Sequence, residues 1–146
     1  MVVTRTMWWP GSQADWYEGH ASLGATTSGT SWAVADGEVG ASDGAETYLL
    51  IANPSSVDGA VRIRLLFEDG TSTQQSVPIS ATSRTTVNIG AQFPEAAWRR
   101  FSALVESVAT GTGPAPQIVV ERSMYWSPNG IPWAAGSNVV GIRLVP

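Results

Sequence analysis

The fold class is decided by the stretch Val61-Arg62-Ile63-Arg64-Leu65-Leu66-Phe67-Glu68-Asp69-Gly70-Thr71. Apolar residues occupy alternate positions from Val61 to Phe67, and two arginines lie between them, which predicts a strand with one buried face. Asp69-Gly70 predicts a type I′ hairpin turn, because that turn needs a positive φ at both central residues. Residues 72–79 are therefore expected to return antiparallel.

Further strands are predicted on both sides of this hairpin. Residues 48–52 form an apolar run that predicts a central strand, and the alternating run 84–89 predicts a half-buried one. Residues 101–108 and 117–126 predict two more strands, and 94–100 predicts a short helical segment. Closely spaced strands separated by Gly, Pro and Asn predict an all-β chain. Its expected fold is an Ig-like antiparallel β-sandwich with an additional N-terminal hairpin.

Composition limits the chemistry of the chain. The 146 residues contain no Cys, one His and eight Arg without any Lys, and the net charge is −4. The lack of Cys and Lys excludes thiolate nucleophiles, Cys-based metal sites and Schiff bases. The arginines form no basic run, so nucleic-acid binding is not expected, and no apolar stretch is long enough to predict membrane insertion. A composition rich in Gly, Ser, Thr and Val with seven Trp is typical of a secreted or cell-surface β-domain.

An internal repeat relates the two ends of the chain at an offset of 117 residues. Residues 2–9 match residues 119–126 without a gap, and the match pairs Arg5 with Arg122. The register continues through the following loop, where Trp16 matches Trp133. Residues 1–25 are therefore interpreted as the equivalent of the closing hairpin of a preceding repeat, residues 26–30 as a linker, and residues 31–146 as a complete β-sandwich repeat.

Six motifs follow one another along the complete repeat: WAVADG at 32–37, YLLIANP at 48–54, EDG at 68–70, SRTTV at 83–87, VES at 105–107 and VVERSMYW at 119–126. In these motifs the chain resembles an uncharacterised module that occurs in tandem in large exported bacterial proteins. The resemblance implies an exported location and a β-rich tandem unit, and it brings no established activity or site residues. The N-terminal copy departs from the pattern, with Thr4 in place of the Glu and Trp8 in place of the Tyr.

The N-terminal hairpin is expected to join another sheet. A two-stranded hairpin alone is only marginally stable in water, and edge strands carry unpaired backbone groups that accept a further strand. Residues 2–9 are therefore predicted to pair with the sheet of the main domain. In this interpretation the partners of the chain are neighbouring repeats of the same protein.

A structural clamp is predicted around Arg122. Alternation from Val120 to Trp126 places its guanidinium on the same face as core-like residues, where a charge needs a partner. Glu106, on a strand predicted to be adjacent, could supply a bidentate carboxylate, and Trp126 could supply a stacking face.

The tryptophans divide into two groups. Trp32, Trp98, Trp126 and Trp133 are assigned to core or hairpin packing. Trp8, Trp16 and Tyr17 in the N-terminal hairpin are the candidates for an exposed ligand-binding platform, since an indole can stack on a sugar ring.

No catalytic residues, metal ligands or cofactors are predicted. Asp36, Glu38, Asp43 and Glu46 lie in a Gly-rich loop, but their spacing matches no defined calcium loop, and a solvated loop is expected. A Ser-His-Asp triad would have to use His20, the single histidine, which lies outside any G-x-S-x-G context.

The predicted function is that of a non-catalytic structural or adhesive repeat module of an extracellular or cell-surface bacterial protein. The alternative is a carbohydrate-binding module that uses exposed Trp and Tyr, and a more distant alternative is a glycoside-active enzyme domain. Contiguous Trp and Tyr on an exposed sheet face would favour glycan binding, whereas buried Trp would favour a structural or adhesive unit.

Overall fold

A computed structural model of the chain describes residues 3–9 and 18–144, and most of these residues lie in strands. The N-terminal hairpin consists of β1 (Thr4–Trp9) and β2 (Glu18–Leu23). The remaining strands are β3 (Ser31–Val39), β4 (Glu46–Asn53), β5 (Gly59–Phe67), β6 (Ser72–Ile79), β7 (Ser83–Asn88), β8 (Arg99–Val108), β9 (Val119–Trp126), β10 (Ala135–Val140) and β11 (Ile142–Arg143). The short helix α1 (Ile89–Gln92) follows β7, and 3₁₀ turns lie at Pro94–Ala96 and Pro128–Gly130.

Two antiparallel sheets form the sandwich. One has five strands in the order β11-β3-β8-β5-β6, and the other has four in the order β10-β9-β4-β7. Strands β1 and β2 form a separate two-stranded sheet. The prediction of an antiparallel β-sandwich with an additional N-terminal hairpin is confirmed.

The core lies between the two sheets and follows directly from the alternation in the sequence. In β5, alternate residues from Val61 to Phe67 point inward and are almost fully buried. β4 supplies Leu49 and Ile51 from the opposite sheet, both with no exposed surface. Burial of each such side chain contributes about 1.5–3 kcal/mol. The interior is therefore the main source of stability, and it sets which face of each strand points outward.

The turn between β5 and β6 differs from the predicted type I′ turn. Among its residues only Gly70 has a positive φ, 82°. The Asp69 carboxylate accepts hydrogen bonds from the Thr71 backbone N–H and hydroxyl. The strands are joined instead by a three-residue loop in which only Gly70 is left-handed. Asp69 keeps a negative φ and stabilises the turn through its side-chain hydrogen bonds.

The predicted helical segment and linker also differ in detail. At 94–100 only Pro94–Ala96 is helical, because Trp98 takes a positive φ of 63° and the chain enters β8 at once. Part of the predicted linker is held against the sandwich. Gly29 exchanges two backbone hydrogen bonds with Ile118, and the Thr30 carbonyl accepts one from the Ser107 N–H.

The N-terminal hairpin has the same register as the hairpin of β9 and β10. Thr4 pairs with Leu23, and their repeat equivalents Glu121 and Val140 pair in the same way. The predicted pairing of residues 2–9 with the main sheet is wrong for the described residues, because β1 pairs with β2.

Side chains hold the hairpin to the four-stranded sheet. The Arg5 guanidinium contacts the Glu121 carboxylate at 2.5 Å. The Asn138 amide donates to the Ser22 hydroxyl at 2.6 Å. The hairpin lies against part of the outer face of the sheet, where Arg5 and Met7 line a groove together with Leu50 and Tyr125.

A β-bulge interrupts β3 between Val34 and Gly37. Val34 pairs with Ala103 and Gly37 pairs with Phe101, so β3 has one more residue than β8 between these two pairs. Gly37 is buried, and a Cβ atom at this position would lie 2.4 Å from Cε2 of Phe101. The bulge therefore requires a residue without a side chain at Gly37.

Gly37→Ala is expected to lower the free energy of unfolding by about 1–3 kcal/mol, because the added methyl group overpacks the buried Phe101 ring. Calorimetric or denaturant-induced unfolding measures the change. Gly111→Ala is the matched control, since a Cβ atom at Gly111 meets no atom within 4 Å. Equal stability of the two variants would contradict the packing argument.

Candidate functional site

Arg122 lies inside the sandwich, as its position in the alternation of β9 predicts. Its side chain is 6% exposed. Nη2 lies 3.3 Å from the Asp36 carboxylate, and Nη1 donates to the Ser137 hydroxyl at 2.9 Å. Nε has no hydrogen-bond partner among the residues that the structure describes. Burial lowers the pKa of the Arg122 guanidinium, and the charge of Asp36 opposes this effect.

The predicted clamp with Glu106 and Trp126 is wrong in its partner. Glu106 belongs to β8, which lies in the other sheet, and its carboxylate points outward to Arg62 at 3.4 Å. Asp36 is the carboxylate that faces Arg122 instead. It lies within the bulge of β3, which interrupts the alternation of inward and outward side chains at the end of the sandwich. In the described part of the chain, Arg122 does not stack on Trp126. The cation–π contact that the structure does show there is between Arg99 and Phe67, with the guanidinium 3.6 Å from the ring centroid.

A cavity of about 440 Å³ opens at this end of the sandwich and is lined by Asp36, Met124 and Trp126, among others. Glu38 at its wall pairs with Arg100 at 3.4 Å. The charged groups therefore hold the strand ends together, and the geometry favours a structural role for this cluster.

The acidic residues of the Gly-rich loop do not converge. Asp36 faces Arg122, and Glu38 pairs with Arg100. Glu46 accepts hydrogen bonds from the Tyr48 hydroxyl and the Trp133 indole. Within residues 3–9 and 18–144 no three His, Asp or Glu side chains are grouped as metal ligands.

A second candidate site is the outer face of the four-stranded sheet, where three aromatic side chains are contiguous. Tyr125 of β9 and Trp133 of the following loop are stacked, with ring centroids 5.0 Å apart and an angle of 25° between their planes. Tyr48 of β4 meets Tyr125 edge to face at 6.0 Å.

Glu46 holds this aromatic cluster in place. Its Oε2 accepts a hydrogen bond from the Tyr48 hydroxyl at 2.5 Å and one from Trp133 Nε1 at 3.3 Å. Burial of Tyr48 and the adjacent Glu46 carboxylate raise the pKa of Tyr48 to about 12, since both disfavour the phenolate.

A groove of about 370 Å³ runs beside the cluster, between this sheet face and β1. Arg5 and Met7 line it from the hairpin, and Leu50, Arg84 and Ser123 line it from the sheet. Ser123 is 2% exposed, and its hydroxyl has no hydrogen-bond partner among the described residues.

Of the four tryptophans assigned to core or hairpin packing, the structure corrects Trp98, and it shows Trp133 packed in its hairpin but partly exposed. Trp32 is buried as predicted, and its Nε1 donates to the Gly29 carbonyl. Trp126 is partly buried. Trp133 and Trp98, by contrast, are 46% and 77% exposed. Both adopt a positive φ, which turns their side chains away from the interior, and the local pattern of apolar residues does not show this.

The predicted ligand platform falls largely on undescribed residues. Trp16 and Tyr17 lie outside the described residues, and for Trp8 only the backbone within β1 is described. The repeat offset nevertheless relates two of them to the cluster, because Trp8 is equivalent to Tyr125 and Trp16 to Trp133. The repeat offset could therefore have identified Tyr125 and Trp133 as candidates for an exposed aromatic pair.

No family model matches the chain, and no curated protein matches it in sequence. Solved structures that are similar in fold include the following two. Thermotoga maritima 1070 is 18% identical with a TM-score of 0.64, and the match covers 79% of this chain and 94% of that one. The Anabaena sensory rhodopsin transducer is 20% identical with a TM-score of 0.52, covering 68% of this chain and 91% of that one. At these identities the similarity shows the fold alone. None of the described helices is long and apolar enough to span a membrane.

The two alternative partners of Arg122 predict different effects on stability. Asp36→Ala is expected to lower the free energy of unfolding by about 0.5–1.5 kcal/mol, because the buried Arg122 guanidinium loses a carboxylate that is itself 66% exposed and screened by solvent. Glu106→Ala is expected to change it by less than about 0.5 kcal/mol, since its pair with Arg62 is exposed. Urea unfolding of both variants measures the difference. A larger loss for Glu106→Ala would restore the clamp predicted from the sequence.

Tyr48 is expected to ionise late in the folded protein. Its folded pKa of about 12 exceeds the ordinary 10.0, so the stability due to the neutral phenol is complete below pH 10 and is lost as the pH rises towards 12. Glu46→Gln should move the Tyr48 pKa back towards its ordinary value. Ultraviolet titration of the phenolates, with Tyr48→Phe to assign the signal, measures both. An unchanged titration curve in Glu46→Gln would contradict the role of Glu46.

Proposed function

We propose that this chain is a non-catalytic structural or adhesive repeat module of a secreted or cell-surface bacterial protein. Its partners in this proposal are neighbouring repeats, and its Ig-like classification is part of the same proposal. The observation that carries it is the hairpin of β1 and β2, which repeats the sequence of β9 and β10 at an offset of 117 residues and has the same register. A duplicated closing hairpin is typical of a chain built from tandem units.

The contacts of the hairpin support a role for it between repeats. Arg5 meets Glu121, and Ser22 meets Asn138, so both hairpin strands contact the closing hairpin of the complete repeat. These contacts join side chains and use no backbone ladder between the two hairpins. Consecutive units therefore dock by packing a hairpin on a sheet face.

The two hairpins use their equivalent faces differently. Arg122 and Met124 of β9 point into the sandwich, whereas their equivalents Arg5 and Met7 of β1 line the groove on the outer face. One hairpin can place this face against only one of the two surfaces at a time. Docking on the next repeat therefore competes with closure of the hairpin's own sandwich.

A non-catalytic role agrees with the chemistry of the two candidate sites. Arg122 and Asp36 form an ion pair between the sheets, and the groove presents aromatic rings, a hydroxyl and arginines. At these two sites the described carboxylates of Asp36 and Glu46 are already engaged, by Arg122 and by the Tyr48 hydroxyl.

The docking of the hairpin is tested in the full chain by the double variant Glu121→Ala/Asn138→Ala, which removes both described side-chain contacts. We expect faster amide hydrogen exchange in β1 and β2 with little change in the sandwich core, because an undocked two-stranded hairpin is marginally stable. Exchange followed by mass spectrometry measures the change.

Glu68→Ala is the control, since it removes the same charge at an exposed position beside β5. Hairpin exchange that is equally fast in the unaltered chain and in the double variant would show that the hairpin is not docked. The repeats would then be independent domains joined by linkers.

A further inference from the structure

We propose that the groove on the outer face of the four-stranded sheet binds an acidic oligosaccharide, with the stacked Tyr125 and Trp133 as its platform. The inference rests on the adhesive form of the proposed function, and the docked hairpin forms one wall of the groove through Arg5 and Met7. It moves the ligand platform from the N-terminal hairpin to residues of the complete repeat.

Contacts within the protein hold the platform in place before any ligand binds. Tyr125 covers one face of the Trp133 ring, and Glu46 holds the indole N–H. The Trp133 backbone N–H donates to the Ser127 hydroxyl, and its φ is 53°. A left-handed conformation at a tryptophan costs free energy, and here it directs a large ring towards solvent. With 46% of Trp133 exposed, the ring retains surface on which an apolar sugar face can stack at low entropic cost.

The groove contains a polar group without a partner. The Ser123 hydroxyl lines it, the residue is 2% exposed, and no described residue bonds to this hydroxyl. A buried hydroxyl without a hydrogen bond is unfavourable, and a ligand hydroxyl would satisfy it. This observation is independent of the aromatic cluster and identifies the same groove.

The charge in the groove favours an anionic ligand. Arg84 is exposed, and its guanidinium donates to the Thr86 hydroxyl at 3.3 Å. No carboxylate in the described part of the chain forms a salt bridge with it, whereas Arg5 is already paired with Glu121. A carboxylate on the ligand would therefore find its partner at Arg84.

The length of the groove favours an oligosaccharide. Tyr125 pairs in register with Glu46, and the Arg84 guanidinium reaches Thr86, which pairs with Leu50, four residues further along β4. At about 3.3 Å per residue, the platform and the guanidinium lie roughly 13 Å apart along the strand. A chain of several sugar rings can contact both, and a single ring cannot.

The position of the groove argues against an added peptide strand. It lies on a sheet face, where the backbone groups of β4 and β9 already pair with neighbouring strands. Strand addition needs an open edge. A mixture of stacked rings, hydroxyl and guanidinium on a sheet face fits a sugar chain, which has both apolar ring faces and polar edges.

The experiment is calorimetric titration of the full chain with oligogalacturonate, and with a cello-oligosaccharide of equal length as the neutral probe. We expect saturable binding that is tighter for the acidic probe. Trp133→Ala should weaken it at least about tenfold, and Trp133→Phe, which keeps an aromatic face, should retain most of it. Arg84→Gln should remove the preference for the acidic probe.

Two variants control for exposure and charge. Trp98→Ala removes the most exposed described tryptophan, and Arg64→Gln removes a cation from the outer face of the other sheet, so both should bind as the unaltered chain does. Thermal melting of each variant establishes that it is folded.

The proposal is overturned if the unaltered chain binds neither probe, if Trp133→Ala and Trp98→Ala have equal effects, or if the neutral probe binds as tightly as the acidic one. The chain length of the recovered oligosaccharide tests the non-catalytic function separately from the binding site. Cleavage of the bound oligosaccharide would refute the non-catalytic function and leave the binding site intact.

Discussion

The burial of alternate apolar side chains between two antiparallel sheets is the constraint on which the rest of the structure depends. β5 and β8 from one sheet and β4 and β9 from the other supply side chains with almost no exposed surface, including Ile63, Val105 and Ile51. Each contributes about 1.5–3 kcal/mol, far more than an exposed ion pair of about 0–1 kcal/mol. Because side chains alternate along a strand, burying one face determines the composition of the other. The outer faces are therefore where binding groups can be placed without loss of the core.

Arg122 is the exception that the core accommodates. Its guanidinium lies on the inner face of β9 and reaches the end of the sandwich, where the bulge in β3 places Asp36. The bulge depends on Gly37, since a side chain there would collide with Phe101. A backbone irregularity in one sheet thus provides the counter-charge for a residue in the other, and the pair connects the two sheets at their open end.

The outer face of the four-stranded sheet combines the two features that have functional consequences. It carries the Tyr125 and Trp133 stack, and it receives the N-terminal hairpin through Glu121 and Asn138. Arg5 and Met7 cover part of a groove that their equivalents in β9 cannot reach, because those lie inside the sandwich. Removal of the hairpin from this face would therefore leave more of the groove open. In the proposed tandem arrangement, docking of a hairpin and access to the groove are linked.

The sequence by itself determined the strands with strong alternation, the hairpin of β5 and β6, and the register shared by the two closing hairpins, because these depend on local period and on identity at one offset. It also placed Arg122 on the inner face of its strand. β3 was not predicted as a strand, since its bulge breaks the period of two. Only the tertiary structure decided that Asp36 and not Glu106 faces Arg122, that Trp98 and Trp133 are exposed, and that the hairpin packs on a sheet face. The physical reason is that these properties depend on which strands share a sheet and on single backbone conformations, and neither leaves a periodic signal in the local sequence.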